Sequence, residues 1–167
     1  WKANLETWRK AAKGGLTLCM YYTDNFATPW ISAPYERVIE GDRRYIIDKG
    51  VDGIYMLMWP KGYWWNHSLN NYIAGRCFYD ASLAPREVLR DYAIRYFGPD
   101  AGPLVLAYYE QWADEIDLPY RVKDDSRACD RAMLAEQQRK WIGPAIAAAK
   151  SDPVFAHRVG KVARLHD

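Results

Sequence analysis

Two stretches of the chain carry the side chains best suited to chemistry. In the first, Tyr21-Tyr22-Thr23-Asp24-Asn25 follows a short apolar run. In the second, Trp59, Tyr63, Trp64 and Trp65 fall within seven residues and lead into Asn66, His67, Asn70 and Asn71. Asp24 is a carboxylate at the exit of the apolar run. There it can serve as general base, as nucleophile or as acceptor for a sugar hydroxyl. The plainer alternative is a turn cap or an ion-pair partner. Flat rings beside amide and imidazole groups suit a pyranose, which offers C–H faces to stack and hydroxyls to hydrogen-bond. The competing reading is that these rings pack a junction, since aromatics also dominate cores. The candidate set is Asp24 as catalytic carboxylate, with Tyr22, Asn25, Trp59, Trp64, Trp65, Asn66, His67 and Asn70 as substrate contacts.

The elements that position these residues are written as a repeat. Residues 1–13 alternate as an amphipathic helix, and a chain opening inside such a helix reads as a piece of something longer. Gly14-Gly15 stops the helix, and Leu16 to Tyr22 is short and apolar enough for a buried strand. A loop with two prolines follows. Glu36 to Lys49 returns to helical spacing, Gly50 ends it, and Gly53 introduces the run Ile54 to Met58. The two runs start about 37 residues apart, the size of one βα unit. Two parallel strands cannot cover both faces of a sheet. The expected architecture is therefore α/β: residues 1–80 as the last βα units of a (β/α)8 TIM-like barrel, incomplete in this chain, and 81–167 as an all-α extension. Helices are expected at Asn66–Tyr79 and Pro85–Phe97. Another runs from Leu104 to a stop at Pro119. Ala128–Lys150 is expected to kink or break at Gly143-Pro144, and Val154–Leu165 is a short final helix.

Composition narrows the partners. Lys and Arg total 23 against 21 Asp and Glu, with no basic excess in either half, so no nucleic-acid partner is expected. No apolar run reaches the roughly 20 residues of a membrane span, so no membrane partner is expected. Cys19, Cys77 and Cys129 are too scattered for a zinc site, and His67 has no second ligand at suitable spacing, so no metal is expected. Phosphate-binding loops and nucleophile elbows are absent, and no organic cofactor is implied.

The order YYTDN, then GVDGIYMLMW, then WNHSLNNYIAGRCFYDASLAPREVLRDYAIRYFGPDAG resembles bacterial glycosidase-like proteins grouped as domain-of-unknown-function family 4838. The most specific stretch is Leu69 to Arg76, followed by Tyr79-Asp80 and by Tyr96 to Pro99. The resemblance implies a barrel akin to glycoside hydrolases and action on a polysaccharide or glycoconjugate. It also implies an exported protein, periplasmic or extracellular, in a bacterium. It further implies a principal acid carboxylate on a mid-barrel strand before Trp1, so the missing N-terminal part of the barrel would be a partner of this segment. Glycoside hydrolysis needs two placed carboxylates, and the strand exits here offer one, so this segment alone is expected to be inactive. The alternative is a non-catalytic carbohydrate-binding or scaffolding protein. A third reading has the aromatics purely structural.

Overall fold

The computed structural model describes residues 2–22, 34–56, 64–122 and 135–164, with 64–67 and 115–122 as backbone only. They form two compact units, one of residues 2–22 and 35–85 and one of residues 86–164 with Pro34.

In the first unit the order is α1 (Lys2–Ala11), β1 (Thr17–Met20), α2 (Glu36–Asp48), β2 (Gly53–Met56) and α3 (Trp64–Tyr79). Gly50, at φ 64°, reverses the chain after α2, a conformation glycine adopts without steric cost. The strands pair in parallel, Thr17 opposite Gly53 through Met20 opposite Met56. A reciprocal clasp precedes the ladder. The Leu16 N–H donates to Asp52 Oδ2 at 2.7 Å, and the Asp52 N–H donates to the Leu16 carbonyl at 2.9 Å. Leu5 of α1, Leu18 of β1 and Ile46 of α2 form the buried cluster, packed by Leu16, Met20, Tyr45, Val51, Ile54 and Phe78. Alternation along a strand sends the register partners Cys19 and Tyr55 to the opposite face, where both are exposed.

The barrel expectation is corrected here. Among the described residues the sheet is open and two-stranded, in the order β1-β2, and the remaining elements are helices. The helix–glycine–strand repeat dictates parallel pairing, but nothing in it dictates closure. β1 is also shorter than the apolar run that suggested it, ending at Met20 rather than Tyr22. Tyr55 is exposed on the face opposite the Leu18 cluster.

The second unit is helical: α4 (Pro85–Phe97), α5 (Gly102–Val122), a π-helical segment Gln138–Ile142, α6 (Gly143–Ala149) and α7 (Pro153–Ala163). The backbone stays helical through Pro119, where a stop was expected. At Gly143-Pro144, where a kink or break is expected, the π-helical segment ends and α6 begins. The hydrogen-bond spacing widens just before it, and Pro144 sits in the first turn of α6, where its missing N–H costs nothing. Asp152 caps α7, its Oδ1 accepting from the Val154 and Phe155 N–H groups. Tyr92, Tyr96, Phe97, Tyr108, Tyr109 and Trp112 form a run of ring contacts along α4 and α5. Much of the aromatic surplus is therefore core packing of this unit.

Candidate functional site

Parallel strands end at the same edge, and here Met20 and Met56 are register partners. The chain continues from that edge toward Asp24-Asn25 after β1 and toward Trp59 after β2. In open α/β sheets, ligands bind outside the carboxyl ends of the strands.

Tyr22 lies two residues past β1 and is 4% exposed. Its ring stacks on Phe78, with centroids 6.4 Å apart and planes at 22°. Its hydroxyl donates to Asp42 Oδ2 at 3.5 Å, a long bond. Burial, then the neighbouring Asp42 charge, pushes the Tyr22 phenol well above its ordinary range. Burial also raises the Asp42 carboxyl, against the opposing pull of Lys2 and of the Tyr22 hydroxyl. The folded state therefore holds the Asp42 proton to higher pH than the unfolded chain does. Stability from this group is full below the ordinary aspartate range and falls as pH rises through the raised value. Asp42→Asn removes that fall. Relative to the parent, the variant is expected to gain stability between about pH 3 and pH 6, read from urea midpoints at several pH values. A difference independent of pH would refute the assignment.

Asp42 also sets a scale along α2. The helix runs back toward β2, so its first turn stands beyond Asp42 on the side where the strands end. From Asp42 to Glu36 is six residues, roughly 9 Å of helix. At that outer level the Tyr35 N–H donates to Asn70 Oδ1 at 2.9 Å, tying the start of α2 to α3. Asn70 is thus buried and engaged with the backbone. Its neighbour Asn71 is 8% exposed, and neither its Oδ1 nor its Nδ2 has a hydrogen-bond partner. Glu36 is buried in the same turn, 3.8 Å from the Arg37 guanidinium.

The structure brings Tyr22 and Asn70 to the side of the sheet where the strands end. Trp64, Trp65, Asn66 and His67 lie on the first turn of α3, described by backbone alone. Asp24, Asn25 and Trp59 lie outside the described residues. Three polar residues of this region escaped the sequence reading: Glu36, Asp42 and Asn71. Glu36 and Asp42 look like ordinary polar positions of an amphipathic helix. Asn71 was noticed only as part of a polar run. Arg76 donates to the Tyr72 hydroxyl at 3.0 Å and lies over that ring.

Among the described residues no group of His, Cys, Asp and Glu is arranged to hold a metal ion, and no helix is long and apolar enough to cross a membrane. A family model described as a domain of unknown function, DUF4838, matches residues 1–110. The chain belongs to this family. The DUF4838 match spans both strands, Tyr22, Tyr35, Glu36, Asp42, Asn70 and Asn71, and it ends inside α5. All of the candidate edge thus falls in the DUF4838 region, whereas the π-helical segment, α6 and α7 lie beyond it. No curated protein and no solved structure matches the chain.

Proposed function

We propose that the C-terminal edge of the β1–β2 pair is a carbohydrate-binding edge, and that this chain supplies part of the sugar site of a glycoside hydrolase-like protein. Its substrate would be a polysaccharide or glycoconjugate. The observation that supports the reading is the parallel register, Met20 opposite Met56, which turns both strand exits toward one edge. Indole faces would stack on sugar C–H groups, and the amides would bond hydroxyls. This reading needs only an open parallel sheet. Asp24 is the acid–base or nucleophile candidate. Hydrolysis requires a second carboxylate at roughly 5–9.5 Å, so binding without turnover is the expected behaviour of residues 1–167. The alternative, a non-catalytic binder or scaffold, is favoured by the single carboxylate at the strand exits.

The test sets Trp59→Ala, Trp64→Ala and Trp65→Ala beside the parent, measuring affinity for a panel of oligosaccharides together with the thermal midpoint. At least one variant should lose tenfold or more in affinity while its midpoint holds. If all three unfold, or none changes affinity, the rings pack a junction and the proposal is wrong. Steady turnover of a chromogenic glycoside by the purified chain would instead show that it already contains both catalytic carboxylates.

A further inference from the structure

We infer that the Asp52–Gly53 link is a modification site: it isomerises to isoaspartate when β1 parts from β2, and the Leu16 clasp suppresses the reaction while the strands are paired. Asp52 is the one aspartate in the chain followed by glycine, and no asparagine is. An aspartyl side chain can close on the nitrogen of the next residue. The Gly53 nitrogen attacks Cγ of the neutral Asp52 carboxyl. A new N–Cγ bond replaces the C–OH bond, and one water leaves with the amide proton. Water then opens the five-membered imide at the former main-chain carbonyl. The backbone now runs through Cβ and Cγ, longer by one methylene, and the old α-carboxyl becomes the side group. The mass is that of the parent, and no oxidant or cofactor enters. Glycine in the second position favours closure, because no Cβ shields its nitrogen.

Two observations hold the carboxyl away from that nitrogen. Asp52 Oδ2 accepts from the Leu16 N–H at 2.7 Å. A Cβ built on Gly15 would stand 3.5 Å from Asp52 Cγ. The carboxyl therefore lies against the backbone of residues 15 and 16, across from its own strand. Burial does not shield it, since Asp52 is exposed and water reaches it. Protection rests on the two hydrogen bonds of the clasp, and a two-stranded sheet is marginal enough to open from time to time. The glycine cannot simply be exchanged. A Cβ at Gly53 would stand 3.1 Å from Oγ1 of Thr17, its register partner. The pairing thus calls for glycine, and the reactive dipeptide comes with it. Once isomerised, the chain has an extra methylene between positions that must meet Leu16 and Thr17 together, so the first rung of the ladder cannot re-form.

The test incubates the whole chain in mildly acidic buffer, with and without urea. Peptide mapping then follows isoaspartate at position 52, the isomeric peptides being separated by chromatography and identified by electron-transfer fragmentation. Leu16→Pro removes the N–H that holds the carboxyl, and Leu5→Ala loosens the strands without touching the clasp. Isoaspartate should form at least tenfold more slowly in the folded parent than in urea. Both variants should form it several-fold faster than the parent in buffer, and all chains should share one rate in urea. If Leu16→Pro does not fold, as its melting curve will show, Leu5→Ala carries the comparison. The inference falls if the parent reacts equally fast folded and unfolded, or not at all in urea. It falls too if Leu5→Ala, with faster amide exchange at both strands, keeps the parent's rate, or if a folded Leu16→Pro chain does. Finally, the isomerised parent, freed of urea, should lack amide protection at Leu18–Met20 and Ile54–Met56. Recovery of the parent's protection there would refute the claim that the modification prevents pairing.

Discussion

Gly102→Ala is expected to destabilise the helical unit by about 3 kcal/mol or more. A Cβ at Gly102 would stand 2.7 Å from the Ala93 carbonyl oxygen and 2.8 Å from the Ile94 Cα. Both are backbone atoms of α4, so no side chain can swing aside. The chain is also pinned at this corner. The Gly102 N–H donates to the Gly98 carbonyl at 2.8 Å, and Gly98 sits at φ 91° beneath the Phe155 ring. Arg158 adds a second hold, donating to the Tyr96 carbonyl and lying over its ring. At roughly 4–8 °C per kcal/mol for a unit of this size, the midpoint of this transition should drop by more than 10 °C. Gly160→Ala is the control, because its Cβ would meet nothing within 4 Å. It should stabilise by up to about 1 kcal/mol, through helix propensity alone. Equal midpoints for the two variants would show that α4 and α5 can separate at no cost.

Leu5→Ala should have the largest effect on the first unit, about 2–5 kcal/mol. Leu5 is fully buried in the small cluster with Leu18 and Ile46. Two strands are too few to persist without a packed face, and α1 covers that face through Leu5. Amide exchange should therefore quicken across Leu18–Met20 and Ile54–Met56, while protection in α4 and α7 holds. Glycan binding should be lost together with strand protection, since the edge exists only while the strands are paired. Unchanged exchange at both strands would mean that α2 and α3 suffice to hold them.

The sequence announces most of the elements and their order through periodicity and glycine. Leu5 and Trp8 on α1, the apolar face of α2 and the stripe Val88-Leu89-Tyr92 are local signals, and each lies on a helix in the structure. What the residues could not announce is closure. The apolar runs at Leu16–Tyr22 and Ile54–Met58 fit a strand buried on both faces. In the folded chain, however, Cys19 and Tyr55 face outward. A short apolar run does not state how many neighbours its strand has. A proline is not always a stop: Pro119 sits in the helical backbone of α5, and Pro144 lies in the first turn of α6, where its missing N–H costs nothing. For the site, the aromatic cluster points to the edge where both strands leave the sheet, and its own side chains lie outside what the structure describes. Glu36 and Asn71 are buried and Asp42 is half-buried beside Tyr22, through tertiary packing that spacing along one helix does not encode.

The clasp between Leu16 and Asp52 joins residues 36 positions apart, which has a consequence for the order of events as the chain folds. No hydrogen bond of the ladder can form until α2 has brought β2 alongside β1, so the entropy of closing that loop is paid before any pairing repays it. The corner at Gly98–Gly102 needs only a local reversal and can organise on contacts close in sequence. During synthesis, at roughly 5–20 residues per second, the apolar Leu16–Tyr22 stretch emerges seconds before its partner strand exists. For that interval it is a sticky, unpaired segment that a chaperone would recognise. The helical unit, although made last, is under no such delay.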